Sequence, residues 1–130
     1  MRAAVEERAR ARCEYCQAPQ AICAYTFHLE HILPRSKGGA DLLPNLALAC
    51  FPCNRAKSSD TVAIDPVTHS EVTLFNPRRE RWSTHFKWRA GFTQIEGKTA
   101  IGRAAVEKLK LNAPRQVQAR AAWVTTGVWP

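Results

Sequence analysis

Four of the five cysteines form two CxxC pairs, and these pairs constrain the fold of the chain more than any other feature. Cys13 pairs with Cys16, and Cys50 pairs with Cys53. Four thiolates give zinc a closed tetrahedral site, which contributes folding energy to a small domain. The sequence therefore predicts a structural zinc ion held by all four, with reduced and unligated cysteines as the alternative. Cys23 is predicted to be a small buried residue and not a ligand.

Length and charge narrow the class of protein. A chain of 130 residues favours one domain. The 19 basic residues outnumber the 11 acidic ones and give a net charge of +8. This charge favours a protein that binds a polyanionic partner, with a basic protein that has no such partner as the alternative. No stretch is apolar enough to span a bilayer, and the N-terminus lacks the apolar region of a signal peptide. A cytoplasmic protein with no membrane partner is expected, and paired thiols in a reducing compartment favour metal over disulfides.

The first half of the chain predicts a compact ββα unit. An Ala-, Arg- and Glu-rich helix is expected over residues 2–11, and β-branched and aromatic residues predict a strand over 24–31. A Gly- and Pro-containing loop then leads to a second strand over 46–50, and FPCNRAKSS suits a short helix.

The second half predicts a mixed extension. A DPxT turn precedes a strand, a short helix is expected to begin at Pro77, and HFKWRAGFTQIEG has the alternation of a hairpin. Helices are predicted over residues 99–111 and from Pro114 to about Thr125. The fold class is therefore α+β, with a core unit at residues 1–60 and an extension of one hairpin and two helices at 61–130, expected to pack on the core and to contact nucleic acid.

The segment HLEHILP carries candidate chemistry. His28 and Glu30 are two residues apart, so they share one face of the predicted strand. His31 points elsewhere unless the strand is ending, which Pro34 indicates. A histidine beside a metal-binding carboxylate can take a proton from water near neutral pH. The alternative is a pair of surface histidines beside a solvated glutamate.

Two asparagines extend this pattern. Asn45 precedes the second strand and can clamp the loop through its amide, whereas Asn54 follows Cys53 and can complete a hard-metal site with Glu30. A turn or helix cap is the alternative for each. Arg55 and Lys57 on the same predicted helix can contact phosphates, or they can form a solvated face.

In combination, CxxC, EHxxPxSxGG and NLxxxCxxCNxxK resemble a known family. The span from about Cys13 to Ser58, roughly a third of the chain, looks like an HNH endonuclease of the ββα-metal (His-Me finger) type with a zinc-binding four-cysteine site. The second half, through LFNPRRERWSTHF and GKTAIGRAAVEKLKLN, is similar to the C-terminal part of stand-alone bacterial HNH proteins.

The resemblance implies roles for individual residues. His31 takes the position of the general base, Glu30 that of the acidic metal ligand, Asn45 that of the loop-bracing asparagine, and Asn54 that of the last metal ligand. Glu30 stands where aspartate is more common and Asn54 where histidine is, a variant that active members also show. An amide oxygen there favours Mg²⁺ or Mn²⁺. His28 is left as a third ligand, an alternative base or a hydrogen-bond partner.

The predicted function is metal-dependent hydrolysis of DNA phosphodiester bonds, with RNA as an alternative substrate and either a monomer or a homodimer as the active form. A zinc-stabilised module that binds nucleic acid without cleaving it is the main alternative, and an interaction protein with no nucleic-acid partner is the weaker one. Trp82 and Trp88 either stack unpaired bases or belong to the core. Seven basic residues are the candidates for nucleic-acid contacts: Arg35, Lys37, Arg55, Lys57, Arg78, Arg79 and Arg81.

Overall fold

The N-terminal part of the protein folds as a small sheet between two helices. The computed structural model describes residues 1–130, all of the chain. Helix α1 (Arg2–Arg8) is followed by strand β1 (His28–His31), strand β2 (Leu46–Ala49) and helix α2 (Phe51–Lys57). The two strands are antiparallel, with His28 opposite Ala49 and His31 opposite Leu46. This is the predicted ββα unit.

The remaining residues form two hairpins and three helices. Strands β3 (Val62–Ile64) and β4 (Glu71–Thr73) pair with each other, as do β5 (Phe86–Arg89) and β6 (Gln94–Gly97). Helix α3 (Trp82–His85) precedes the second hairpin, and α4 (Ala100–Lys108) and α5 (Pro114–Thr126) end the chain. Three two-stranded antiparallel sheets among five helices confirm the predicted α+β class.

Local sequence explains both of the last helices. Thr99 caps α4 by accepting a hydrogen bond from Gly102 N at 3.0 Å. Pro114 occupies the first turn of α5, and Gly127 ends it with a left-handed φ of 78°. Gly102 also lets α4 approach α3, because a Cβ atom there would lie 2.0 Å from His85 O.

Two secondary-structure predictions were wrong in detail, and one strand was missed. Only the last four residues of the predicted strand at 24–31 are a strand, because β2 ends where α2 begins and β1 has no other partner. The N–H of Phe27 instead donates to Gln20 Oε1 at 3.0 Å. No helix begins at Pro77: Asn76 and Glu80 hydrogen-bond across a single turn, and Arg81 is extended. Strand β3 was not predicted.

One buried core joins both halves of the chain. It contains 21 buried residues, among them Val5, the four paired cysteines, all of β2, and Phe86, Ile95 and Leu109 from the second half. Further contacts cross between the halves: Trp82 Nε1 donates to Tyr15 O at 2.8 Å, and Arg78 forms an ion pair with Glu14. The zinc-binding cysteines predicted from the sequence therefore lie inside this shared core.

Candidate active site and metal centre

The four paired cysteines converge on one point. Cys13 and Cys16 lie in the turn after α1, whereas Cys50 and Cys53 lie at the first turn of α2. All four Sγ atoms lie within 4.8 Å of one another, and Cys16 Sγ lies 3.6 Å from Cys50 Sγ. A tetrahedral zinc site with bonds of about 2.3 Å has S···S edges of about 3.8 Å, whereas a disulfide needs about 2.05 Å. The cysteines are therefore positioned to form a zinc site.

The electrostatics of the cluster also call for a cation. Burial raises the pKa of Cys13, but hydrogen bonds from the other three thiols outweigh it and hold that pKa well below its usual value. The same contacts, with Cys13 as the first cause, raise the pKa of Cys16 and Cys53 well above theirs. Four thiolates this close together require a bound dication. Cys23 lies outside this cluster, as predicted, but it is half-buried and not fully buried as expected.

Asn45 holds the loop that follows β1. Its Oδ1 accepts from Leu33 N at 2.8 Å, and its Nδ2 donates to Leu33 O at 2.9 Å and to Ala40 O at 3.0 Å. These bonds are those expected of a loop clamp. Gly39 makes the approach possible, because a Cβ there would lie 1.7 Å from Leu33 O. The clamp fixes where the chain leaves β1, and therefore where His31 points.

His31 has a carboxylate partner that sequence reasoning missed. Its Nε2 lies 2.6 Å from Asp41 Oδ1, and Asp41 in turn accepts from Arg35 Nε at 2.8 Å and Arg35 Nη2 at 3.0 Å. The hydrogen bonds from Arg35, and then from His31, hold the pKa of Asp41 below its usual value. A carboxylate that fixes one ring nitrogen orients the imidazole and its tautomer. The sequence does show Asp41, the acidic residue of the segment GGAD, close to His31. Which residue its carboxylate contacts, however, depends on the path of the loop.

Glu30 lies in a buried ion pair. Its side chain is 3% exposed, with Oε1 2.6 Å from Lys57 Nζ and Oε2 accepting from the Tyr15 hydroxyl at 2.7 Å. Burial raises the pKa of Glu30, and the nearby ammonium of Lys57 opposes that rise. Both carboxylate oxygens are thus occupied by protein groups, and the sequence had indicated neither Tyr15 nor the pairing with Lys57.

Lys57 itself corrects a prediction. It was expected to contact phosphates from a solvent-facing helix, but its side chain is only 2% exposed. Its ammonium group also donates to the backbone carbonyls of His31 at 3.2 Å and Ile32 at 3.0 Å. Lys57 therefore fastens α2 to the end of β1 and is not available to a phosphate.

The other predicted metal ligands are His28 on β1 and Asn54 on α2. Asn54 is one helical turn before Lys57 on α2, is partly exposed, and its amide makes no hydrogen bond within the protein. The exposed ring of His28 lies 6.1 Å from the ring of Phe51, which begins α2. His28 and Glu30 therefore each contact α2, through Phe51 and Lys57 respectively, and Asn54 lies on α2 between those two residues. His31 instead contacts Asp41 in the loop.

The remaining basic candidates divide into two groups. Arg78 is half-buried, in an ion pair with Glu14, and burial lowers its pKa to about 10, so its guanidinium is used within the fold. Arg35 is exposed but holds Asp41. Four are exposed and free of ion pairs: Lys37, Arg55, Arg79 and Arg81. None of the helices is long and apolar enough to cross a membrane.

Comparison with known proteins agrees with the geometry. Residues 13–60 match the family model described as HNH endonuclease. No curated protein and no solved structure matches the chain. This segment holds the two-stranded sheet, the following helix and all four zinc-site cysteines. HNH domains generally belong to endonucleases, which act on nucleic acid. Residues 13–60 are therefore similar to an HNH domain and carry four cysteines positioned to form a zinc site, a combination that points to a nuclease-type function.

Proposed function

We propose that the protein is an endonuclease that hydrolyses DNA phosphodiester bonds. The single observation that carries this proposal is the arrangement of His31, whose imidazole is partly exposed and is held by Asp41 on a loop clamped by Asn45. A histidine fixed in this way is suited to take a proton from the water that attacks phosphorus. A module that only binds nucleic acid has no need of a fixed imidazole at this position.

We propose Glu30, Asn54 and His28 as the residues that hold a Mg²⁺ or Mn²⁺ ion. Their oxygen and nitrogen donors have the chemistry of a hard divalent site, and the ion would supply positive charge against the phosphate as negative charge develops there. In this structure the Glu30 carboxylate is occupied by Lys57 and Tyr15. Binding at Glu30 therefore requires the carboxylate to exchange the ammonium of Lys57 for the cation.

The zinc ion has a separate, structural role in this proposal. All four of its ligands are buried cysteines, which leave no open position for water or substrate. Residues 1–60 would form the nuclease core and residues 61–130 an extension packed on it. Exposed Arg35, Lys37, Arg55, Arg79 and Arg81 would contact the DNA backbone. Reduced zinc-binding thiols suit a reducing compartment such as the cytoplasm.

Plasmid relaxation tests the proposal. Purified protein should convert supercoiled plasmid to nicked circles with Mg²⁺ or Mn²⁺ and not without them. His31→Ala should lower the rate by about 10²–10⁴-fold, the usual contribution of a positioned base. His69→Ala is the matched control, because His69 is an exposed histidine in the β3–β4 turn.

Zinc content and circular dichroism should be the same in both variants and the wild type. A His31→Ala protein that nicks at the wild-type rate would remove His31 from the mechanism. Salt-sensitive DNA binding with no metal-dependent nicking by any of the three proteins would favour the non-catalytic binding module instead.

A further inference from the structure

Arg120 of α5 is a buried cation with no carboxylate partner. It is only 2% exposed, and its guanidinium donates to Leu111 O at 2.7 Å and to Thr93 O at 3.0 Å. It belongs to none of the ion pairs of the protein. Backbone carbonyls accept its hydrogen bonds but supply no negative charge, and a buried charge is costly unless an opposite charge compensates it. The compensating charge must therefore come from a group other than aspartate or glutamate.

The cysteines of the zinc site supply that group. Arg120, Cys16 and Cys53 line one cavity of about 10 Å³, which has room for about one water molecule at most. No acidic residue lines this cavity, and its other charged residue, Lys110, is exposed to solvent. Burial lowers the pKa of Arg120, and the charges of all four zinc-site cysteines oppose that fall.

A zinc centre of this composition needs positive charge around it. Four thiolates around one Zn²⁺ leave the centre with two net negative charges, and all four cysteines are buried. Charges attract each other more strongly in the protein interior than at the surface, because the effective dielectric constant is lower there. The guanidinium donates its hydrogen bonds to backbone oxygens and not to sulfur, so its attraction to the centre acts through space.

We propose that Arg120 is the counter-charge of the zinc centre, so that helix α5 helps to hold the metal although it supplies no ligand. Groups that surround the ligands of a metal without binding it typically change metal affinity by about 10–100-fold. The alternative is a purely mechanical role, in which the guanidinium only fastens α5 to the carbonyls of Thr93 and Leu111. The inference depends on the zinc site and is independent of the proposed nuclease activity.

The zinc affinity of the full chain tests this proposal, measured by competition with a chromophoric zinc chelator. Arg120→Gln keeps an N–H donor for a carbonyl but removes the charge, and it should lower the affinity by roughly 10–100-fold. Arg120→Lys keeps the charge but loses the fork of the guanidinium, and it should restore most of the affinity. Equal losses in the two variants would overturn the proposal.

A second comparison separates charge from stability, because metal binding is coupled to folding and any destabilised variant binds zinc less tightly. Cys16→His replaces a thiolate with a neutral ligand that zinc also accepts, so it removes one of the two net negative charges of the centre. In that background Arg120→Gln should cost markedly less zinc affinity than it does in the wild type. The matched control is Arg103→Gln on α4, which breaks the ion pair with Asp65 and should cost the same in both backgrounds.

Cys53→His gives the same comparison at a second ligand that shares the cavity with Arg120, and it serves if Cys16→His does not bind zinc. An Arg120→Gln loss that is the same in the wild type and in the histidine variant would overturn the proposal and leave Arg120 with the mechanical role alone. If neither histidine variant binds zinc, the comparison of Arg120→Gln with Arg120→Lys decides. Neither nicking nor DNA binding enters these measurements, so failure of this inference and failure of the nuclease proposal are distinguishable.

Discussion

The side chain of Asp41 is placed to decide how His31 works. Its carboxylate lies 2.6 Å from His31 Nε2 and is shared with the guanidinium of Arg35. Loss of the carboxylate would leave the imidazole free to rotate, and a small misplacement of a reacting group can cost about 10²-fold in rate. We therefore expect Asp41→Ala to lower kcat of plasmid nicking by roughly 10- to 100-fold with little change in KM.

Arg35→Ala is the informative comparison for that prediction. It removes the other partner of Asp41 but leaves the contact with His31, and Arg35 is itself a proposed phosphate contact. Its main effect should be a higher KM. Asp41 and Arg35 are 57% and 69% exposed, so neither change is expected to disturb the fold. If the two variants change kcat and KM in the same way, Asp41 does not act through His31.

For individual site residues, the sequence indicated which side chains carry the chemistry but not all of the residues that they contact. Asn45 was predicted as a loop clamp, and its three hydrogen bonds have that form. Asp41 and Tyr15 were missed, because each meets its partner, His31 or Glu30, only after the chain has folded back on itself. Spacing along a sequence predicts neighbours within one strand or helix, and it carries little information about contacts between loops.

Among the elements, β1 and α2 are joined by the Glu30–Lys57 ion pair. Both side chains are almost completely buried. Removing one partner of a buried pair leaves an uncompensated charge, which typically costs about 3–5 kcal/mol. We expect Lys57→Met to lower the free energy of unfolding by about that amount in urea denaturation. Arg55→Met, an exposed position on the same helix, should change it by no more than about 0.5 kcal/mol.

The double variant Glu30→Gln/Lys57→Met completes a double-mutant cycle with the single variants Glu30→Gln and Lys57→Met. Since it removes both charges, it should be more stable than the sum of the two single losses predicts. If the losses of unfolding free energy in the two single variants simply add in the double variant, the carboxylate and the ammonium are not coupled in solution. Lys57 would then be held only by its hydrogen bonds to the backbone carbonyls of His31 and Ile32.

The Glu30–Lys57 ion pair also predicts how the stability lost in Lys57→Met should depend on pH. Burial raises the pKa of Glu30, and Lys57 opposes this, so Lys57→Met should raise that pKa further. A carboxyl group whose folded pKa lies above its unfolded value of about 4.3 makes stability fall as pH rises through that window. The stability deficit of Lys57→Met should therefore shrink as pH is lowered from about 8 towards the raised pKa. A deficit that is constant or grows on acidification would contradict the assignment.

Elements with strong local signals were predicted well, and those that depend on a partner were not. The hairpin of β5 and β6 and the capped helices α4 and α5 form close to their predicted bounds. Strand β3 consists of three residues and exists only because β4 pairs with it. The turn at Pro77 has a helix-capping pattern but does not propagate, because the chain must turn there to place Arg78 against Glu14.

Across the whole molecule, the zinc-site cysteines connect the two halves. Tyr15, between Cys13 and Cys16, accepts the indole N–H of Trp82 through its backbone oxygen, and its ring packs edge-on against Phe75 at 6.4 Å. All four cysteines belong to the same buried cluster as side chains from β5, β6 and α4. The extension therefore packs on the segment whose conformation the zinc ion would fix.

Zinc removal should accordingly unfold the entire chain in one transition. Structural zinc contributes about 10–16 kcal/mol in zinc-finger peptides, whereas a whole domain is usually stable by about 5–15 kcal/mol. On titration with a chelator, zinc release followed by a metal indicator should therefore coincide with loss of the near-ultraviolet circular dichroism of the tryptophans, all of which lie in the second half. Cys50→Ser should reproduce the loss, and Cys23→Ser, outside the cluster, should not. If the tryptophan signal survives complete zinc release, residues 61–130 fold independently of the metal centre, and the shared core does not make the molecule a single cooperative unit.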